Sequence, residues 1–212
     1  YLQHNNINSG VEFLNNLTEL KVLYLNDNRI DSINALTSLK NLQAINVSDN
    51  PQINNLTVLS SYAGTLEEVY AENDSLTSFS FIDGMTNLRI LMLSGNAPTE
   101  ADYSDLLSSQ LGALTQMQVL TLSDKPLRDL TFLANMPELV RLDVANCKLT
   151  SGSDIDAITA RYKTLRVLDI SNNDMSGAET DIVKLKNMPN LVVLYADNLC
   201  KAFDASAITK EM

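Results

Sequence analysis

Five carboxylates and a set of phenols recur at matching places along this chain of 212 residues, and they bound the chemistry it can do. Asp143 and Asp169 are the natural candidates for paired work, with Glu68, Glu72 and Asp197 as further acids and Arg141 as the one cation in their midst. A glycosidase-type pair needs carboxylates about 5–9.5 Å apart and a site that excludes water. The single histidine, His4, has no Cys/His constellation or His-Glu-x-x-His motif around it, so neither a His-assisted nucleophile nor a standard zinc site can be assembled. Seven scattered glycines form no phosphate cradle. No cofactor and no metal are therefore expected. Cys147 and Cys200 are too few for a disulfide framework.

Charge removes other classes. Twenty-six acids against fifteen bases leave a net charge of −11, the wrong sign for neutralising phosphates, so no nucleic acid is expected as a partner. The longest clean apolar run, Leu191 to Ala196, is far short of the ~18–20 residues that span a membrane. No membrane insertion is expected either.

The elements that must position these residues come from an internal repeat. The clearest copy reads Leu17, Leu20, Leu23, Leu25, Asn28, Ile30, then Ile33, Leu36, Leu39, Leu42, Ile45, Val47, Asn50 and Ile53, in the pattern L-x-x-L-x-x-L-x-L-x-x-N-x-I. Later copies align at Leu66, Leu88, Met117, Leu139, Leu165 and Leu191, and a partial one at Leu2, Asn5 and Ile7. Positions 5, 28, 50, 74, 96, 125, 147, 173 and 199 are separated by 23, 22, 24, 22, 29, 22, 26 and 26 residues. One such unit cannot bury its own apolar face, but stacked units form a continuous core.

The pattern resembles the leucine-rich repeat of the bacterial internalin family, whose unit is 22 residues long, and the match covers nearly the whole chain. The resemblance implies an α/β solenoid: a curved parallel β-sheet on the concave face, with turns and short helices on the convex face. Residues 1–212 read as a single domain of about eight repeats plus a partial first one, a segment of a longer array. A C-terminal capping helix over Phe203–Met212 is the alternative at that end.

Within each L-x-L strand the leucines point inward and their neighbours outward. The central outward column is Tyr24, Asn46, Tyr70, Met92, Thr121, Asp143, Asp169 and Tyr195. The column before it holds Val22, Ala44, Glu68, Ile90, Val119, Arg141, Val167 and Val193; the column after it holds Asn26, Ser48, Glu72, Ser94, Ser123, Ala145, Ser171 and Asp197. Two features follow: an aromatic and apolar patch (Tyr24, Tyr70, Ile90, Met92) edged by Glu68 and Glu72, and an acidic cluster of Asp143 and Asp169 side by side, with Tyr195 and Asp197 one repeat further. Arg141 offsets part of that repulsion.

The asparagine position sits at a sharp turn in a dry interior, where a short amide both donates and accepts. The expected ladder is Asn5, Asn28, Asn50, Asp74, Asn96, Cys147 and Asn173, with Asp74 and Cys147 as small substitutes. Lys125 does not fit that slot, so its head is expected to reach water or its turn to differ; Leu199 also breaks the series. Cys147 and Cys200 lie two strand spacings apart, too far to bridge comfortably. The long repeats have room for helices, expected from Thr99 to about Leu111, from an N-cap at Ser153 to about Ala160, and between Gly177 and Asn187.

The expectation for function is a non-enzymatic recognition module with a protein or glycan ligand on its acidic and aromatic concave face, the protein carrying basic groups. The resemblance implies a cell-surface or secreted place. An intracellular adaptor is the alternative, and a carboxylate-dependent hydrolase a remote one.

Overall fold

The computed structural model describes residues 1–96, 106–127 and 129–200, with only the backbone for residues 106–108. Eight three-residue strands form one open parallel sheet in chain order. They are β1 (Val22–Tyr24), β2 (Ala44–Asn46), β3 (Glu68–Tyr70), β4 (Ile90–Met92), β5 (Val119–Thr121), β6 (Arg141–Asp143), β7 (Val167–Asp169) and β8 (Val193–Tyr195). Register is like-with-like throughout: Leu23, Ile45, Val69, Leu91, Leu120, Leu142, Leu168 and Leu194 lie side by side on the inner face. A slip of one residue would turn every leucine to the other face, so the alternation itself holds the register.

Each strand is short because three residues past its end the chain turns through a left-handed conformation. Asp27, Asp49, Asn73, Asp124, Asn146, Asn172 and Asn198 all have φ between 52° and 67°. Asp and Asn tolerate this region better than other side chains. His4 takes the same place in the partial first copy, with φ 57°, and its Nδ1 lies 2.6 Å from the Asp27 carboxylate. At Gly95, φ 73°, a Cβ would meet the Asn73 side-chain oxygen at 2.1 Å, so any other residue here requires that side chain to move.

Behind the sheet, each repeat buries a set such as Leu23, Leu25, Ile30, Ile33, Leu36, Leu39 and Leu42, all at most 2% exposed. Full burial of each such side chain is worth roughly 1.5–3 kcal/mol relative to exposure. Returns of 22 to 24 residues carry only turns or 3-10 segments such as Thr57–Tyr62 and Ser80–Ile82. The longer ones carry α-helix: α1 (Leu106–Gly112), α2 (Gly152–Thr159) and α3 (Glu179–Ile182), the last continuing as a 3-10 segment over Val183–Asn187. The expected start of the first helix at Thr99, and the region Phe203–Met212, lie outside the described residues. The second helix begins earlier than expected. Its N-cap is Ser151, whose extended backbone lets the hydroxyl accept from Ser153 N, and Asp154 at the third helical position turns in to accept from Leu130 N at 3.2 Å.

The ladder is present, and it has a direction. Asn50 Nδ2 donates to Val47 O (2.7 Å) in its own repeat and to Leu25 O (3.1 Å) in the preceding one, while its Oδ1 accepts from Ile30 N (3.0 Å). Asn28, Asn96 and Asn173 do the same: Asn96 reaches Leu93 O, Ala71 O and Leu76 N, and Asn173 reaches Ile170 O, Val144 O and Leu149 N. Cys147 keeps only the donor part with its thiol, Sγ lying 3.3 Å from both Ala145 O and Leu122 O, while Leu127 N turns to the Cys147 backbone carbonyl at 2.9 Å. Burial pushes that thiol up to about 12, leaving it protonated and inert. Asn5 bonds only within its own repeat, to Leu2 O and Gln3 O, and is exposed.

Lys125 corrects the expectation. Its side chain is fully buried, and Nζ lies 3.2 Å from Asn96 O and 5.3 Å from the centroid of Phe79. Asp124 before it keeps the usual left-handed turn, so the long chain runs back along the ladder into the preceding repeat and places a donor at a backbone carbonyl. The ring face compensates part of the lost hydration. Burial lowers the ammonium to about 8.

Asp74 is the other departure. One oxygen accepts from Asn50 N at 2.8 Å, whereas Oδ2 is buried with no partner, in a slot where asparagine has its NH2. Burial, helped by the Asp49 carboxylate, pushes its acid up to about 8 against 3.8 ordinarily. A raised folded value means stability that is complete below 3.8 and lost as pH rises through 8. Lys125 works the opposite way, adding stability as pH climbs from 8 towards 10.5. Asp74→Asn restores the donors and removes the acid. It is expected to raise stability at pH 8 by about 1–3 kcal/mol and to flatten the parent's loss between pH 5 and 8, as read by urea unfolding at several pH values.

Candidate functional site

The outward columns stand together as their spacing predicts. Tyr24, Asn46, Tyr70, Met92, Thr121, Asp143, Asp169 and Tyr195 are successive register partners across all eight strands. At the β1 end the phenols associate. The rings of Tyr24 and Tyr70 come to 6.3 Å, edge to face, across the intervening Asn46. Asn46 does not rise between them, because its Oδ1 accepts from Ser48 N at 3.0 Å and folds the side chain onto its own turn. Beside it in the preceding column is Ala44, small and buried.

A third ring extends this row. Tyr1 lies 5.1 Å from Tyr24 at 85°, and is 81% exposed. Leu2 N donates to Tyr24 O, so Tyr1 takes the central-column place of the partial first copy. Sequence reasoning missed it by counting from the first complete copy, although Tyr1 precedes Asn5 by the same interval that separates Tyr24 from Asn28. Tyr70 Oη donates to Glu68 Oε2 at 2.9 Å. Burial first, then that bond and the Glu68 charge, hold the Tyr70 phenol well above its ordinary value; burial and the Glu68 charge raise Tyr24 as well.

The acidic half is built differently. Asp143 and Asp169 are direct register partners on β6 and β7, as expected, but each folds an oxygen back: Asp143 Oδ1 accepts from Ala145 N (3.1 Å) and from the Ser123 hydroxyl, and Asp169 Oδ1 from Ser171 N (2.9 Å). These are Asx turns closing the strand ends. The following column is structural too. Ser48, Ser94 and Ser171 each accept, through Oγ, a backbone N–H from the next repeat, at Glu72, Ser123 and Asp197. The signal was legible as Asn46-Val-Ser48 and Asp169-Ile-Ser171, an acceptor two residues before a hydroxyl.

Glu72 reaches across β4, where it accepts from Thr121 Oγ1 at 3.0 Å. Burial raises its acid, opposed by that bond and by the Arg141 charge. Thr121 is thereby 1% exposed, so this outward position is covered and not solvated as its column suggested. Met92 is half-buried between Tyr70 and Thr121; Arg141, Tyr195 and Asp197 are exposed. Among the described residues no group of three or more His, Cys, Asp and Glu is placed to hold a metal ion.

A family profile described as leucine rich repeats (2 copies) matches residues 18–61. The solved structure of internalin C2 from Listeria monocytogenes superposes with a TM-score of 0.70 at 24% identity, covering 92% of this chain and 78% of that one. A second internalin of the same organism, InlF, gives 0.63 at 19% identity, covering 100% and 71%. This is an internalin-like leucine-rich repeat fold. None of the curated proteins compared with the chain matches it in sequence.

The Tyr70–Glu68 contact is testable on its own. In an alkaline titration followed by the ring carbon signals of tyrosine, Tyr70 is expected to ionise well above 10, and Glu68→Gln to bring its midpoint down towards 10. An unmoved midpoint in the variant would show that burial alone holds the proton.

Proposed function

We propose that this chain is a non-enzymatic recognition module that holds a protein ligand carrying basic groups on the outer face of its sheet. The single observation that supports this most is the row of Tyr1, Tyr24 and Tyr70: three rings associated on a face where nothing in the core calls for them. Aromatic side chains with a polar rim are what interfaces concentrate. The five carboxylates of the outer columns, against Arg141 alone, set the sign of the partner.

Rigid presentation is the mechanism. Asx turns at Asn46, Asp143 and Asp169 and the serine bridges lock the strand ends, so little is lost in ordering when a ligand binds. The same locking argues against catalysis, since Asp143 and Asp169 each have an oxygen committed to the backbone on an open sheet. The internalin-like fold supports a bacterial protein at the cell surface or secreted.

Asn46 serves the turn as well as an aspartate does, so Asp143→Asn and Asp169→Asn remove charge and keep geometry. A variant combining these with Tyr70→Ala is compared with the parent in a pull-down of host surface proteins. The expected result is a partner held by the parent, released by salt and lost by the variant. A partner held equally by both would move binding off this face and sink the reading.

A further inference from the structure

We propose that Tyr24, Tyr70 and Glu68 form a receiving site for a single cationic side chain of the protein partner, arginine in preference to lysine. This rests on the recognition reading above and deepens it, by separating one part of the acidic face from the rest.

The two phenols sit on β1 and β3, and the strand between them offers no obstacle. Asn46 is folded onto Ser48 N, and Ala44, beside Glu68 in register, has only a methyl group. The result is an edge-to-face pair of rings, centroids 6.3 Å apart, with a carboxylate beside it, on which a cation stacks rather than entering between the rings. A cation within about 6 Å of a ring centroid is attracted by the ring quadrupole. Tyr70 Oη donates to Glu68 Oε2, which fixes the carboxylate beside the rings and leaves Oε1 for a ligand. A guanidinium is flat enough to stack on a phenol while donating to such a carboxylate in its own plane; an ammonium is a point charge with no face to stack.

The rival acids lack this setting. Asp143 and Asp169 have oxygens tied to Ala145 N and Ser171 N, and Glu72 is tied to Thr121. Tyr195, next to Asp169 in register, is 52% exposed and has no second ring against it among the described residues. Arg141, the competing internal cation of the outer columns, is three strands from Glu68.

The chain contains no tryptophan but seven tyrosines, so the site is read from the assigned ring signals of Tyr24 and Tyr70. Tetra-arginine and tetra-lysine peptides are titrated into the full chain at about 0.15 M salt, where long-range attraction is screened. The arginine peptide is expected to shift the Tyr24 and Tyr70 signals and to bind several-fold more tightly than the lysine peptide. Tyr24→Leu, which changes no charge, and Glu68→Gln are each expected to weaken it by about five- to tenfold. Asp169→Asn removes the same one charge as Glu68→Gln and should weaken it less than twofold. Equal losses from Glu68→Gln and Asp169→Asn, with none from Tyr24→Leu, would mean diffuse acidity and overturn the site; equal affinity for both peptides would overturn the preference for arginine. The partner from the pull-down separates the two readings. If it binds the outer face but ignores Tyr24→Leu and Glu68→Gln, the receiving site is wrong and recognition stands; if no partner uses the face while the arginine peptide still selects these rings, recognition fails and the site stands.

Discussion

The whole architecture depends on satisfying backbone groups that the short strands leave unpaired in a dry interior. After three residues each chain must leave the sheet, and the carbonyls at that corner face apolar side chains. A buried polar group left alone costs ~1–3 kcal/mol, and the corner recurs in every repeat. In four repeats one amide meets the need, as Asn50 does for Val47 O, Leu25 O and Ile30 N, and Asp74, Lys125 and Cys147 meet part of it elsewhere. Because the bonds cross between repeats, this side chain also sets how neighbouring units stack. The inward leucines supply most of the free energy, whereas the ladder fixes which corner of one unit meets which corner of the next, whatever the length of the return between them.

This explains what the sequence disclosed. The strand register, the two faces of the sheet and the ladder asparagines were all legible, because each is a periodic consequence of one repeated unit. The misreadings fall where a residue type was judged by its usual habit. Lys125 was expected to send its head to water, yet the slot continues back to Asn96 O, and a long stem can follow it as well as leave it. Ser153 was taken for the cap when the extended backbone belongs to Ser151. A further set of links, Asn41 to Thr18 O, Asn87 to Gly64 O and Asn190 to Lys163 O, was passed over although each asparagine stands just before a repeat leucine.

The outer face divides into residues that the scaffold uses and residues that it does not. By residue type Asp143 and Asp169 read as an acidic cluster for a ligand, because like charges side by side cost stability in a sheet. Their turns supply the reason for their type, and Asn46 shows the same job done without charge. The phenols have no such duty. What remains after the structural roles are subtracted is the aromatic row with Glu68 and, towards β8, the exposed Arg141, Tyr195 and Asp197, and that subtraction could not be made from residue types alone.

The direction of the ladder has a consequence for how the molecule comes apart. Each amide serves the repeat before it, as Asn173 serves Val144 O and Leu149 N, so every unit is completed by its successor. A break between any two units therefore leaves unlike faces: on one side backbone groups such as Val144 O and Leu149 N without their partner, on the other an asparagine side chain without its own. The two faces of each unit are complementary but different, so units stack head to tail.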